Sequence, residues 1–194
     1  MTPDQPTALD ARPRLPEALR FLLAEYPRRI WVDHPNFGPT TKFYLDRHAM
    51  FRECFAVMRR LTDESLDRAR PDARFARDFA RVGGFFLSEL QMHHQVEDHH
   101  YFPALQRLEP RLTRGFEILD ADHHALHDAL GRFHGAAETA LRAVGSAGGD
   151  PKTALGALEG ELKRFDPLLD RHLTDEEEIV IPVMLDRGEA ALGL

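Results

Sequence analysis

The run His93-His94-Gln95-Val96-Glu97-Asp98-His99-His100-Tyr101-Phe102-Pro103 is the most informative stretch of this chain. It holds four histidines and two acidic residues within eight positions, and apolar residues at helical spacing precede it. Because an α-helix repeats every 3.6 residues, His93 and Glu97 lie one above the other on a single face. An imidazole nitrogen and a carboxylate oxygen then point to the same place. The meaning of this pair depends on the partners that the rest of the chain supplies.

The composition limits the class of protein. The chain has 194 residues, of which 43% are hydrophobic and 29% charged, and a formal net charge of −7. These values are typical of one globular domain, and no basic stripe suggests a nucleic-acid partner. The single cysteine, Cys54, excludes an intrachain disulfide and a thiolate metal cluster. Because the apolar stretches are short and the N-terminus lacks the pattern of a secretory signal, we expect a cytoplasmic protein with no membrane partner.

Four long amphipathic helices are predicted from apolar residues spaced alternately by three and four positions. They are expected over about residues 41–61, from near Asp72 through Glu97, over about 111–144, and from Pro151 through Val183. This alternation is typical of nearly parallel helix packing. The predicted fold is therefore all-α, a four-helix up-down-up-down bundle. Asp150 and Pro151 are expected to be the cap and first turn of the last helix.

The predicted bundle, residues 41–187, has an extension at each end. Residues 1–40 are expected to form an N-terminal leader, a short helix and a strap that packs on the bundle. Residues 1–13 are expected to be loose, and leucines from Leu15 to Leu23 predict the short helix. Two prolines and a glycine exclude a regular helix over 30–39, whereas its aromatic residues indicate packing. Residues 188–194 are expected to be a C-terminal tail.

Each predicted helix carries a histidine on its apolar stripe. These histidines are His48, His93, His123 and His172. Two helices repeat the order His-x3-Glu, with Glu97 and Glu176, and His127 lies one turn after His123. Imidazoles and carboxylates together bind iron, manganese or zinc, and facing helices of a bundle bring such ligands together. Burial of these groups without a cation would cost several kcal/mol, so the pattern predicts a metal site.

The number of ligands suggests what the site does. Two octahedral ions offer twelve positions. Bridging carboxylates from Glu97 and Glu176 would fill four, five histidines five, and a bridging oxygen two. The one remaining position suits reversible binding of a small ligand such as O2. If His127 does not coordinate, two positions remain open, which favours exchange chemistry or catalysis.

At these residues the chain resembles the hemerythrin-like (HHE cation-binding) family. The motifs are His93-x3-Glu97-Asp98-x4-Pro103, Asp122-His123-x2-Leu126 and His172-x3-Glu176-Glu177-x4-Pro182, within about residues 41–187. The resemblance implies two non-haem iron ions (Fe2+/Fe3+) with a bridging oxo or hydroxo oxygen. It implies as ligands His48, His93, Glu97, His123, His127, His172 and Glu176. Glu177 is an alternative to Glu176, because the oxygen carriers of the family place an aspartate at that position.

The resemblance implies binding of O2 or NO for sensing, storage or delivery, and we expect a ligand-binding metalloprotein rather than an enzyme. The alternatives are a di-iron enzyme, either oxidase-like, peroxidase-like or active in nitric-oxide stress and iron-centre repair, and a redox-responsive signalling module. The signalling role requires a protein partner, and a homo-oligomer stays open. A ferritin-like site is set aside, because that class uses Glu-x2-His on two helices.

The other histidines are expected to have lesser roles. His94, His99 and His124 lie off the predicted stripes and are expected in solvent. His100 and Tyr101 are candidates for orienting the ligands, because groups around a metal site often do so.

Overall fold

The computed structural model describes residues 7–68, 73–146 and 148–193, and it is an all-α helical bundle, as predicted. The helices are α1 (Phe21–Glu25), α2 (Pro39–Leu66), α3 (Ala73–Val96), α4 (Phe102–Leu108), α5 (Thr113–Gly145) and α6 (Pro151–Arg187). Short 3-10 turns lie at Glu17–Leu19, Arg28–Ile30, Pro110–Leu112 and Glu189–Leu192. The predicted start of the second helix near Asp72 lies outside the described residues. Among the residues that are described, no helix combines the length and the apolar character needed to cross a bilayer.

The described residues form two compact units. The first comprises residues 7–49, 93–125 and 169–193, and the second comprises the described parts of 50–92 and 126–168. Each of the long helices α2, α3, α5 and α6 runs through both units, so the chain passes from the first unit to the second and back twice. This is the chain order expected of an up-down-up-down bundle.

The second unit is built around phenylalanines. Phe55 and Phe165 have ring centroids 5.4 Å apart, and Phe86 contacts Phe51 and Phe165 at 6.1 and 6.2 Å. All four side chains, like those of Phe79 and Phe133, have almost no exposed area, which agrees with their helical spacing in the sequence. Aromatic pairs at such distances add to the stabilisation from apolar burial.

The strap packs on α6 within the first unit. Trp31 is 4% exposed, and its indole nitrogen donates to the carbonyl of Tyr26 at 2.7 Å. The side-chain amide of Asn36 donates to the carbonyl of Leu185 at 2.6 Å. These side-chain hydrogen bonds hold the strap in place, and its own backbone forms turns in which the carbonyls of Trp31 and His34 accept from the nitrogens of His34 and Phe37 at 3.1 and 2.9 Å.

Residues near both ends of the chain are packed. Glu189 accepts hydrogen bonds from the backbone nitrogen of Thr41 at 2.5 Å and from its hydroxyl at 2.7 Å, which caps the start of α2. A Cβ atom at Gly38 would overlap the Glu189 carboxylate, so a larger residue there would displace this cap. Leu192 and Arg12 are 4% and 3% exposed. The expectation of a loose leader up to residue 13 is therefore wrong for its described part, because the buried Arg12 fixes it.

A π-helical turn over Glu97–Tyr101 separates α3 from α4. The backbone nitrogen of Phe102 bonds to the carbonyl of Glu97, five residues earlier. Pro103 follows directly and has no N–H to donate, so the i to i−4 hydrogen bond to the carbonyl of His99 is absent. Helix α6, in contrast, continues through Pro167 and Pro182. Turns of this kind occur frequently at functional sites.

Glu109 connects the turn after α4 to the end of α6. Its carboxylate accepts from Arg111 Nε and Nη2, both at 2.7 Å, and from Arg187 Nη2 at 3.1 Å. The hydrogen bonds from Arg111 lower the pKa of Glu109 to about 2, although its side chain is only 2% exposed.

We expect Glu109→Gln to lower the free energy of unfolding of the metal-free protein by about 1–3 kcal/mol at pH 7, since a buried charge-assisted hydrogen bond is lost. The ordinary pKa of the group is 4.5 and the folded-state pKa is about 2. Its stabilisation is therefore complete above pH 4.5 and lost as the pH falls through 2. Urea unfolding of both proteins between pH 7 and pH 2 measures this difference. A difference that stays constant over that range would contradict the assignment.

Candidate metal centre

Seven buried side chains of the first unit form two adjoining groups of potential metal ligands. The three-histidine group consists of His94, His123 and His172, and the mixed group consists of His48, His93, Glu97 and Glu176. Within each group, the candidate ligand atoms all lie within 4.8 Å of one another. This spacing is compatible with ligation of one ion per group, since such ligands lie about 2.0–2.2 Å from a transition metal.

Helix geometry creates part of this arrangement. His93 Nε2 lies 3.2 Å from Glu97 Oε1, and His172 Nε2 lies 3.3 Å from Glu176 Oε1. Both pairs are four residues apart, the spacing at which helical side chains meet. His48 on α2 and His123 on α5 approach from other helices, so the groups exist only when the helices are packed.

Glu97 and Glu176 each direct one carboxylate oxygen to each group. Glu176 Oε1 is 3.3 Å from the Nε2 atoms of His123 and His172, whereas its Oε2 is 3.5 Å from His48 Nε2. Glu97 Oε1 faces His93, and its Oε2 is 3.6 Å from His123 Nε2. Both carboxylates therefore have the orientation of a bridge between two positions.

Several atoms of the groups are buried without a hydrogen bond. Glu97 Oε2, Glu176 Oε2 and His172 Nε2 are inaccessible to solvent and have no hydrogen-bond partner within the described residues. Buried polar atoms in native proteins are nearly always satisfied. Glu97 Oε2 and His172 Nε2 face the three-histidine group and Glu176 Oε2 faces the mixed group, so cations in the two groups would satisfy all three and the residues present fit a metal site.

The pKa shifts in the metal-free centre also fit a metal site. Burial, and then the charge of Glu176, raises the pKa of Glu97 well above its ordinary value. Burial also lowers the pKa values of His93 and His172 well below theirs. A bound cation would favour the ionised carboxylate and the neutral imidazoles, which are the forms that coordinate metals.

Carboxylates outside the two groups hold the rings of three histidines. The pairs, measured from histidine Nδ1 to the nearer carboxylate oxygen, are His123–Asp98 at 2.7 Å, His48–Glu177 at 3.1 Å and His172–Asp122 at 3.4 Å. A histidine that donates from Nδ1 presents Nε2 to a metal, and such outer partners fix the ring orientation. For His123, burial alone would lower the pKa, but hydrogen bonds with Asp98 and Glu176 raise it to about 10.

Tyr44 lies against the mixed group. Its hydroxyl donates to Glu97 Oε1 at 2.5 Å, and its ring centroid is 4.6 Å from that of His48. Burial, together with the charges of Glu176 and Glu97, raises the pKa of Tyr44 well above its ordinary value. The hydroxyl therefore keeps its proton and remains a hydrogen-bond donor.

The sequence profile described as the hemerythrin HHE cation-binding domain matches residues 40–183. The chain belongs to this family. The matched range contains all seven side chains of the two groups, which can hold the cation that the family description specifies. Comparisons with curated proteins and with solved structures found no significant match.

The structure brings most of the predicted ligands of the HHE domain together. These are His48, His93, Glu97, His123, His172 and Glu176. Glu177, the alternative to Glu176, lies on the outer side of His48 and contacts its Nδ1 atom. This position explains why both motifs continue with an acid: Asp98 and Glu177 each hold a histidine from another helix.

The structure does not bring His127 to either group, and this expectation needs correction. Its side chain is exposed on α5. A helix returns to the same face after 3.6 residues, so Leu126 and His127 are almost equally placed one turn after His123. The apolar Leu126 takes the buried position, and the buried face continues through Ala129 and Phe133.

The expectation that His94 is in solvent is wrong. His94 is 8% exposed, and its ring stacks on that of His123 with centroids 4.1 Å apart. It follows Leu90 by four residues and Phe86 by eight, and both are fully buried. This spacing was the signal for a buried position. His99 and His124 are exposed as expected. Of the two candidates for orienting the ligands, His100 is exposed, whereas Tyr101 packs on Tyr44 with ring centroids 5.9 Å apart.

We expect His94→Ala to weaken metal binding by more than about 10-fold, because even the loss of an outer partner has an effect of 10–100-fold. His127→Ala should leave the affinity unchanged. Anaerobic Fe2+ titration in competition with a coloured chelator measures both variants. His124→Ala, a second exposed histidine on the same helix, is the matched control. Equal losses in His94→Ala and His127→Ala would contradict the assignment of His94.

Proposed function

We propose that this HHE domain holds two non-haem iron ions and binds O2 or NO reversibly, for sensing, storage or delivery. The observation that carries the proposal is the orientation of Glu97 and Glu176, each of which directs one oxygen to each group of histidines. Two carboxylates in this orientation suit a pair of ions better than a single ion. The mixed imidazole and carboxylate donors suit iron, with manganese and zinc as the competing metals.

The two ions would have unequal protein ligands. The three-histidine group with both carboxylates offers five donors, whereas the mixed group offers His48, His93 and the same carboxylates. His94 takes the place among the ligands that was expected for His127, so the number of histidine ligands remains five. With a bridging oxo or hydroxo oxygen, one of the twelve positions of two octahedral ions then remains open, on the side of the mixed group. When bound, the iron would supply reversible coordination of one O2 or NO molecule there.

The surrounding side chains would control this side of the centre. Tyr44 donates a hydrogen bond to Glu97 Oε1 and so restricts the rotation of that carboxylate. Tyr101 covers Tyr44, and Phe102 lies over His123 with ring centroids 5.5 Å apart. These rings exclude water, which strengthens the electrostatic interactions inside and limits side reactions of a bound ligand.

We expect the anaerobically reduced protein to bind about two Fe2+ per chain. Stopped-flow mixing with O2 should produce a visible charge-transfer band that disappears when O2 is removed under argon. His94→Ala should bind less iron and lose this band, and His127→Ala should keep both. Absence of the band in the iron-loaded protein, or its formation only once through irreversible oxidation, would contradict reversible O2 binding. A separate NO titration tests the other ligand.

An enzymatic role is the second candidate, and Tyr44 is the observation that favours it. The Tyr44 hydroxyl lies at Glu97 Oε1, beside the mixed group, where it could donate a hydrogen bond to a peroxide substrate and position it, and loss of one such donor costs about 10²–10³ in kcat. An enzyme would consume H2O2 over many turnovers with a reductant present, and Tyr44→Phe would slow it by at least about 100-fold with unchanged iron content. A ligand-binding protein would show no multiple turnover with or without this hydroxyl.

A further inference from the structure

Two arginines that precede the family match reach the outer side of the metal centre. The match begins at residue 40, whereas Arg12 lies in the leader and Arg28 at the start of the strap. Each arginine contacts a carboxylate that holds a histidine of the centre. The two chains of contacts end in different groups, and all their residues belong to the first unit.

The first chain of contacts is Arg12–Asp122–His172. Arg12 Nη1 donates to Asp122 Oδ1 at 2.8 Å, and Nη2 donates to the other oxygen. Asp122 Oδ2 accepts from His172 Nδ1 at 3.4 Å. Arg12 is held in turn by Asp175, which accepts from its Nε at 2.8 Å. A guanidinium fork of this kind fixes both the position and the plane of a carboxylate.

The second chain of contacts is Arg28–Glu177–His48. Arg28 Nη1 donates to Glu177 Oε2 at 2.5 Å, and Glu177 Oε1 accepts from His48 Nδ1 at 3.1 Å. The guanidinium carbon lies 4.8 Å from the ring centroid of Trp31, the buried anchor of the strap. Arg28 binds this carboxylate through one nitrogen, whereas Arg12 binds Asp122 through two. The contact of Arg28 therefore does not need the forked shape of a guanidinium.

We propose that Arg12 and Arg28 are positioning residues of the metal centre, each acting through one carboxylate on the ring of one histidine. Arg12 positions His172 in the three-histidine group, and Arg28 positions His48 in the mixed group. A carboxylate that is free to rotate holds a ring loosely, and outer partners of metal-bound histidines change metal affinity by about 10–100-fold. Residues 7–38 therefore contribute to metal binding although they lie outside the family match. The inference rests on the proposed function.

Arg20 provides the matched control. It lies between the two arginines in sequence, and its Nε donates to Glu178 Oε2 at 3.0 Å. Glu178 is the neighbour of Glu177 and holds neither His48 nor His172, although its Oε1 lies 3.9 Å from Arg28 Nη2, at the outer limit of an ion pair. Arg20→Gln therefore removes the same charge from the same segment and breaks an ion pair to the same turn of α6.

The test is anaerobic Fe2+ titration of full-length Arg12→Gln, Arg28→Gln and Arg20→Gln against a chelator. We expect the affinity for one of the two ions to fall by about 10–100-fold in each of the first two variants, and by less than about twofold in the third. Arg12→Lys should show the same loss of affinity as Arg12→Gln, because an ammonium group cannot form the two parallel hydrogen bonds of a guanidinium. Arg28→Lys should recover most of the affinity.

Double-mutant cycles assign each arginine to its carboxylate. In an Asp122→Asn background, Arg12→Gln should add less than about twofold, while Arg28→Gln should keep its full effect. In a Glu177→Gln background, Arg28→Gln should add less than about twofold, while Arg12→Gln should keep its full effect. The visible spectrum of bound Co2+, used as a probe of coordination geometry, should change in Arg12→Gln and Arg28→Gln and not in Arg20→Gln. Loss of stability alone would not produce this pattern.

The outcomes separate this inference from the proposed function. A wild-type protein that binds no iron would overturn the proposed function. A wild-type protein that binds two iron ions, with Arg12→Gln and Arg28→Gln indistinguishable from Arg20→Gln, would overturn the positioning role alone. Because the Arg28 side chain is 42% exposed, its replacement leaves no buried cavity and tests the inference even if Arg12→Gln fails to fold.

Discussion

The burial of Glu97 and Glu176 beside each other is the constraint on which the rest of the structure depends. Transfer of a carboxylate from water to a protein interior costs several kcal/mol unless partners compensate it. Here the compensation comes from imidazoles on four helices and from the hydroxyl of Tyr44. Among the described residues, one oxygen of each carboxylate lacks a hydrogen bond, and these two oxygens face different groups of histidines. The packing of the helices and the capacity to bind a cation therefore have one physical origin.

Acidic and basic side chains alternate from Glu97 and Glu176 outward to the arginines. The histidines around the two carboxylates are held by a further set of carboxylates, and Arg12 and Arg28 contact two of that set. In a medium of low dielectric constant, such a network is stabilising only when each member is satisfied. The network reaches the partly exposed Arg28 on one side, and on the other it continues from the buried pair of Arg12 and Asp175 to Arg171. The leader and the strap thus complete the polar interior of the first unit.

The sequence predicts the helices and most of the centre because both depend on local spacing. His93-x3-Glu97 and His172-x3-Glu176 are pairs within one helix, and their geometry follows from the helical repeat alone. Leu126 and His127 lie three and four residues after His123, on either side of the 3.6-residue repeat, so either could take the buried position. Packing against the other helices decides which one does. Arg12 lies 110 residues from Asp122 and 163 from Asp175. No local pattern contains information about contacts at such separations, so the role of the leader requires the structure.

The π-helical turn at Glu97–Tyr101 also limits how this region can change in length. Such a turn contains one residue more than an α-helical turn, and each residue of an α-helix advances the chain by about 100°. Deletion of one residue would restore a continuous helix and rotate α4 by about that angle. Phe102 and Leu105, both buried, would move toward solvent, while His93 and Glu97 would keep their places. The number of residues between Glu97 and Pro103 is therefore as constrained as their identity, and an insertion or deletion there would separate the metal ligands from the apolar core that supports them.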